Sequence, residues 1–206
     1  VSYLIEAGKY KNVAIVTSEI ASRSLNYNER ESATLLGDGA AAAIISKSTP
    51  EEGSKIIAAE MKTYSSGAFF TYVKGGGNIV HPNSPDRKDE DFTFTMKGMA
   101  ILEMAFDKLP GFFRELFSEV DFTMRELDLL VPHQASKAGL DMAKTAFRLT
   151  DNQIMNNLLT HGNCIAASIP MALHDAIEEG RIKRGAKVCI AGTAAGLSIG
   201  GLVFIY

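Results

Sequence analysis

Short apolar runs rich in β-branched residues alternate along this chain with segments in which apolar residues recur every three or four positions. The runs predict strands at 12–19, 35–48, 55–65, 128–131, 156–163, 186–192 and 197–206, of which 55–65 is also compatible with a helix. The periodic segments predict helices at 2–8, 96–116, 136–148 and 164–180. We expect the strand at 12–19 to be buried, because it carries few polar residues. Strands that alternate with helices are typical of an α/β fold with helices on the sheet faces.

Composition excludes several classes of protein. A net charge of −3 over 206 residues gives no basic surface for nucleic acid, and no apolar run is long enough to span a membrane. Two cysteines are too few for a disulfide framework or a cysteine zinc site, so we expect no metal and a cytoplasmic location.

Three of the predicted strands end in turns that carry hydrogen-bond donors. The run LLV leads into Pro132 and His133, NLLT leads into a His-Gly-Asn turn that ends at Asn163, and KVCIAG leads into TAAG at 193–196. Carboxyl ends of strands are where open α/β sheets bind ligands. An imidazole, a carboxamide and main-chain N–H groups at one rim would stabilise an oxyanion or enolate.

No residue of this set is a strong nucleophile. Cys164 opens a helix at a position that we expect to be buried, and Cys189 lies in the middle of a strand. We expect Asp38 to fix a turn in GDGA and His161 to hold the turn before Asn163. His81 and His174 are predicted to be ordinary surface or packing residues.

A short motif occurs twice with an offset of 172 residues. Residues 5–17 (IEAGKYKNVAIVT) match residues 177–193 (IEEGRIKRGAKVCIAGT), each at a predicted passage from helix to strand. If the copies mark two halves of one fold, the counterpart of Asn163 lies before Val1. We therefore expect this chain to lack part of its first half.

The combination of VPHQAS, HGNCIAASIP, the helix MALHDAIEEGRIKRG, the GDGA turn and the C-terminal glycine-rich strands resembles β-ketoacyl-[acyl-carrier-protein] synthase III. The resemblance implies a thiolase-like layered α/β fold, with helices packed on mixed β-sheets, of which this is the C-terminal portion. It implies three parts: residues 1–48 as the tail of the N-terminal half, 49–95 as a linking and substrate-loop region, and 96–206 as the C-terminal half.

The resemblance also implies that the enzyme catalyses a condensation of an acyl thioester with malonyl-[acyl-carrier-protein], in which the malonyl group loses CO₂. In this family a cysteine takes an acyl group from coenzyme A, and a histidine and an asparagine stabilise the enolate formed from malonyl-[acyl-carrier-protein]. By motif these two are His133 and Asn163, whereas the acyl-accepting cysteine is expected outside this chain. The fragment alone would then be inactive in the full reaction. No cofactor is implied, because the substrates are carried on coenzyme A and on the carrier protein's phosphopantetheine.

The sequence departs from the family pattern at three places. Ser136 stands where PHQAN has asparagine, and the turn TAAG has alanines where glycines are usual, although the N–H of Ala195 can still serve the oxyanion. A positive φ at Ala195 would be strained. Ala138 replaces an arginine associated with carrier-protein contact, for which three nearby cations are candidates: Lys137, Lys144 and Arg148.

Two alternative functions remain open. The first is a thiolase or hydroxymethylglutaryl-CoA synthase relative, for which Cys189 is the residue to test. The second is a non-catalytic partner subunit that completes a pocket on another chain. For the thiolase-like fragment itself we expect a homodimer or association with the missing N-terminal half, because half of such a core exposes a large apolar face.

Overall fold

The computed structural model describes residues 1–29 and 33–206, which fold into helices and β-strands arranged in layers. The strands of this part of the chain are β1 (Asn12–Ile20), β2 (Asp38–Ser46), β3 (Lys55–Gly67), β4 (Thr71–Tyr72), β5 (Thr95–Met96), β6 (Leu129–Pro132), β7 (Lys187–Ala194) and β8 (Gly196–Ile205). The α-helices are α1 (Ser2–Glu6), α2 (Gly98–Leu116), α3 (Lys137–Phe147), α4 (Leu158–His161) and α5 (Ser168–Glu178). Across the described ranges, no helix has the length and apolar character that a membrane crossing requires.

The main sheet has four strands in the order β3–β8–β7–β6. β6 runs parallel to β7, with Pro132 opposite Ala191, and β8 runs antiparallel to both of its neighbours. β3, at the far edge, places residues of the 49–95 segment in the same sheet as the C-terminal strands. The sheet is mixed, as expected for this fold.

Apolar side chains alternate between the two faces of the main sheet. On one face, Phe112 and Leu116 of α2 pack with Cys189, Ile199 and Val203. On the other face, Ala172 and Ala176 of α5 pack with Leu129, Val131 and Val188. Because successive residues of a strand point to opposite faces, a strand covered on both sides must be apolar throughout, and all of β6 is buried. The predicted α/β class is confirmed.

The strand predicted to be buried at 12–19 is partly exposed. Within the described residues β1 pairs with β2 alone, in a two-stranded antiparallel sheet, and one face of that sheet contacts α5 and the 3-10 turn before it. The opposite face carries Val16 and Ile44, which are 71% and 68% exposed. The prediction of burial was therefore wrong, because a strand of this composition is buried only where a second layer covers it.

The duplicated motif forms the same helix end in both copies. The N–H of Gly8 donates to the carbonyl of Ile5 (2.9 Å), and the N–H of Gly180 donates to that of Ile177 (3.0 Å). Both glycines have φ of +69°, a left-handed conformation that favours glycine after a helix. The sequence repeat is thus a structural repeat that passes the chain from a helix into β1 and β7.

The strand predicted at 156–163 is not formed. Ile154 makes a single parallel bridge with Leu130 of β6, and the chain then turns into α4. The ladder stops because the side chain of Gln134 accepts the N–H of Asn157 (3.2 Å), which removes that donor from strand pairing.

Candidate functional site

His133 stands at the carboxyl end of β6, next to β7. Its N–H donates to the carbonyl of Ala191 (2.8 Å), which continues the parallel ladder by one residue. A Cβ placed on Gly192 would lie 2.9 Å from Cβ of His133 and 3.0 Å from Cδ1 of Ile169. The glycine therefore leaves room for the histidine between β7 and α5.

The imidazole of His133 is kept neutral by its surroundings. Burial lowers the pKa of His133 to about 4, because the charged form would lose its hydration. The ring makes no hydrogen bond to any residue in the described part of the chain. At neutral pH it can offer one N–H donor to a bound molecule without carrying a charge.

Gln134 fixes this turn, and the sequence interpretation did not assign it a role. The side chain is 0% exposed, and its Nε2 donates to the carbonyls of Pro132 (2.9 Å) and Met155 (3.2 Å). Its Oε1 accepts the N–H of Asn157. The sequence signal that could have indicated this role is a glutamine that directly follows His133 at the end of an apolar run. Gln134 joins the loop that carries His133 to the segment that leads to Asn163.

Asn163 is held by its backbone and by its own side-chain oxygen. Its N–H donates to the carbonyl of Leu35 (2.9 Å), and its carbonyl accepts the N–H of Gly37 (3.0 Å). The side-chain Oδ1 accepts the N–H of Ile165 (2.9 Å), which forms a local turn. Within the described residues the Nδ2 group has no partner, so both of its hydrogens are available as donors.

The glycines of GDGA bring β2 against the Asn163 turn. A Cβ on Gly37 would overlap the carbonyl oxygen of His161, and one on Gly39 would overlap Sδ of Met171. Between them, the carboxylate of Asp38 accepts hydrogen bonds from the N–H (2.8 Å) and hydroxyl (2.7 Å) of Ser22. These hydrogen bonds lower the pKa of Asp38. They also hold Asp38, the first residue of β2, against Ser22.

Both cysteines are buried and unactivated. Burial raises the pKa of Cys164, and the nearby charge of Asp38 raises it further. The Cys164 thiol is directed at the carbonyls of His161 (3.2 Å) and Asp38 (3.4 Å). Burial raises the pKa of Cys189 to about 12. Neither thiol has the lowered pKa that reactive cysteines show.

The turn predicted at 193–196 is shorter than expected. β7 continues to Ala194, which pairs with Ser198 of β8, so Ala195 alone separates the two strands. The positive φ of this turn, 135°, falls on Gly196, and Ala195 has no positive φ. The expected strain at Ala195 is therefore absent. Its backbone N–H has no partner in the described residues, and its role toward an oxyanion stays a prediction.

The basic residues predicted to contact a carrier protein lie on or directly after α3. Lys137 pairs with Asp141 (2.5 Å), and Lys144 pairs with Asp151. Arg148 follows the helix with φ of 54° and has no ion pair within the described ranges. Ser136 caps the helix, since its hydroxyl accepts the N–H of Gly139 (3.2 Å). The departure from asparagine thus preserves a helix cap.

The structure connects the predicted residues through two links. Gly192 and Ile169 place His133 against β7 and α5, and α5 is the helix that follows the Asn163 turn. Gln134 and Asn157 join the two loops from the other side. The arrangement supplies neutral donors from both loops, which suits the stabilisation of a developing negative charge.

Comparison with known proteins agrees with this fold. The family model described as 3-oxoacyl-[acyl-carrier-protein] synthase III matches residues 1–65, and the model for the C-terminal part of that enzyme matches residues 117–206. A β-ketoacyl-[acyl-carrier-protein] synthase III from Campylobacter fetus is 33% identical over 199 residues, which are 96% of this chain and 59% of the relative.

Solved structures give the same result. The chain matches β-ketoacyl-[acyl-carrier-protein] synthase III from Thermus thermophilus with a TM-score of 0.86 and 29% identity, over 100% of this chain and 62% of that one. The 3-oxoacyl-[acyl-carrier-protein] synthase III from Aquifex aeolicus matches with a TM-score of 0.85 and 27% identity, over 99% of this chain and 61% of that one. This chain thus spans about three fifths of the length of the proteins it matches.

Proposed function

Because the chain belongs to the β-ketoacyl-[acyl-carrier-protein] synthase III family, we propose that it serves the decarboxylating condensation of an acyl thioester with malonyl-[acyl-carrier-protein] in acyl-chain biosynthesis. The observation that carries the proposal is the environment of His133. Its imidazole is neutral, half-buried and free of hydrogen bonds to the described residues.

The proposed role of His133 and Asn163 is to stabilise an enolate. When a malonyl thioester loses CO₂, the electron pair of the broken C–C bond moves onto the thioester carbonyl, whose oxygen becomes negative. An imidazole N–H and the Nδ2 group of Asn163 then donate to that oxygen. Donors already fixed in place need little rearrangement as the charge develops. The carbanion then attacks the carbonyl carbon of the acyl thioester. A C–C bond forms, the C–S bond of the acyl thioester breaks, and the thiol that carried the acyl group leaves as a thiolate that takes up a proton.

We propose that the acyl group is not carried by either cysteine of this chain. Cys164 and Cys189 are both buried, and the pKa of each thiol is raised. The position of Cys189 inside β7 also disfavours the thiolase alternative, which needs a cysteine in the turn after the strand.

The proposed substrates reach the site as thioesters of coenzyme A and of the carrier protein. The cationic residues of α3, with Arg148 unpaired, are the proposed contact for the acidic surface of a carrier protein. The exposed face of the β1–β2 sheet, with Val16 and Ile44, is the proposed region of association with further polypeptide or a second copy.

The experiment is the release of labelled CO₂ from malonyl-CoA by the 206-residue chain. We expect His133→Ala and Asn163→Ala each to lower the rate by about 10²–10³-fold, the cost of removing one oxyanion donor. His174→Ala, at an exposed position of α5, should leave the rate unchanged. A rate that does not depend on His133 or Asn163, or no release above buffer, would contradict the proposal.

A further inference from the structure

Ile165, which follows Asn163 after one intervening residue, has a backbone conformation that its side chain disfavours. Its φ is 48°, in the left-handed region that glycine and asparagine adopt most easily and that a β-branched residue adopts rarely. The side chain is 40% exposed, so burial of this isoleucine does not explain the conformation. A strained residue persists only where the surrounding structure fixes it, and such residues concentrate at functional sites.

The chain is fixed on both sides of Ile165. Before it, the N–H and the carbonyl of Asn163 form hydrogen bonds of 2.9 and 3.0 Å with the segment that leads into β2. After it, in the 3-10 turn, the N–H of Ala167 donates to the carbonyl of Cys164 (2.9 Å), and the N–H of Ser168 donates to the carbonyl of Ile165. The backbone between these two anchors has little freedom, and the strain falls on Ile165.

In this conformation the N–H of Ile165 donates back to the side chain of Asn163. Oδ1 accepts that N–H at 2.9 Å, while Nδ2 has no partner in the described residues. If the carboxamide turned over, Nδ2 would face the same N–H, and two donors would oppose each other. The hydrogen bond therefore determines which end of the carboxamide is left for a ligand.

We propose that Ile165 is a positioning residue for Asn163 and acts through its backbone N–H. The inference rests on the proposed condensation, in which Nδ2 donates to the enolate oxygen. Without the N–H of Ile165 the carboxamide could turn Oδ1 toward that oxygen, and two acceptors would repel each other. The turn thus fixes the donor before the charge develops, which is the condition for efficient stabilisation of an oxyanion.

The test replaces a single backbone N–H by an ester oxygen in the 206-residue chain. The α-hydroxy acid analogue of isoleucine at position 165 removes the donor to Asn163 and keeps the side chain. The matched control is the α-hydroxy acid analogue of alanine at position 167, which removes the donor to the carbonyl of Cys164 in the same turn. Each ester removes one hydrogen bond, and only the ester at 165 removes a bond to the Asn163 side chain.

NMR of the Asn163 side-chain amide is a readout that does not depend on activity. We expect an order parameter of about 0.8 in the unmodified chain and in the ester at 167, and below about 0.6 in the ester at 165. Ile165→Gly keeps the N–H and adopts the positive φ without strain, so it should keep the order parameter of the unmodified chain. An unchanged order parameter in the ester at 165 would overturn the proposal.

A second NMR measurement needs no variant. The unmodified chain should show a scalar coupling across the hydrogen bond between the Ile165 nitrogen and Cγ of Asn163. This coupling supports the proposal even if the ester at 165 does not fold, and its absence would overturn it.

Release of labelled CO₂ from malonyl-CoA connects the position of the carboxamide to the reaction. The ester at 165 should lower kcat about tenfold and leave KM within about twofold, because the donor acts on charge that appears only in the transition state. The ester at 167 should leave both constants unchanged. Loss of order at Asn163 without loss of kcat would overturn the proposal. If the unmodified chain releases no CO₂ while the ester at 165 still loses order, the proposed condensation fails and the positioning of Asn163 by Ile165 stands.

Discussion

Replacement of Gln134 by leucine tests how the loop of His133 is held. The two side chains have similar volume, so the change mainly removes hydrogen bonds at a position that is 0% exposed. Three backbone groups lose their partner: the carbonyls of Pro132 and Met155 and the N–H of Asn157.

The size of the effect follows from burial. A buried backbone group without a partner costs about 1–3 kcal/mol, and three such groups would cost about 3–9 kcal/mol if none found water. The residues on either side of Gln134 are half-buried, so water can satisfy part of this turn, and we expect a loss of about 3–5 kcal/mol in the free energy of unfolding. A domain at the upper end of the usual stability range of about 5–15 kcal/mol would stay folded after this loss, whereas one at the lower end would be largely unfolded.

Gln153→Leu is the matched control, measured by urea unfolding in parallel. Gln153 also donates to two backbone carbonyls, those of Arg125 (2.8 Å) and Leu127 (3.0 Å). Its Oε1 accepts the N–H (3.2 Å) and the hydroxyl (3.0 Å) of Thr150, but the residue is only half-buried. Water can replace the hydrogen bonds of the Gln153 side chain, so we expect Gln153→Leu to lower the free energy of unfolding by about 1 kcal/mol. Equal losses for the two leucine variants would refute the reasoning that burial makes Gln134 the structural support of the loop.

Three other predictions concern the same region. Gly37→Ala should lower the free energy of unfolding in urea by about 2–3 kcal/mol, because the added Cβ would overlap a backbone carbonyl. Gly111→Ala, where the added Cβ meets open space on a helix, should raise it by about 0.5–1 kcal/mol. Equal effects of the two substitutions would contradict this reasoning. His133 has a folded pKa of about 4 against the ordinary 6.5, so its share of stability, up to about 3 kcal/mol, is complete above pH 6.5 and lost as the pH falls toward 4. His133→Asn should remove that pH dependence, and an unchanged profile would disprove it. Native Cys164 and Cys189 should resist iodoacetamide until urea unfolds the chain, and rapid labelling would show an accessible thiolate.

Local patterns were sufficient for most of the fold. The apolar run before His133 predicts β6, and the structure confirms a strand that is buried on both faces. The repeated Ile-Glu-x-Gly motif predicts two equivalent helix ends, because a glycine after a helix has a local conformational cause.

Errors arose where a distant residue decides the local structure. The apolar residues at 156–163 are compatible with a strand, but a hydrogen bond from Asn157 to Gln134, which is 23 positions away, ends the pairing there. β1 has the composition of a buried strand, and its exposure depends on which layer covers it. Neither the hydrogen bond between Asn157 and Gln134 nor the layer that covers β1 can be predicted from the local amino-acid composition.

The sequence predicted which residues form the site, but it did not predict the contacts that hold them in place. His133 and Asn163 stand out because they follow apolar runs, and both keep donors without partners in the described structure. The overlap that excludes a side chain at Gly37 depends on the carbonyl of His161. Contacts of this kind join segments more than 100 residues apart, so no local pattern reveals them.

The most direct test of the central claim uses a malonyl-pantetheine analogue in which a methylene replaces the thioester sulfur. Its carbonyl oxygen should accept hydrogen bonds from His133 and Asn163 together. NMR titration of the chain should shift the His133 ring N–H and the Asn163 Nδ2 signals with a single Kd, and Asn163→Ala should weaken the response at His133. Shifts confined to one residue, or two unrelated Kd values, would show that the two donors do not serve one oxyanion.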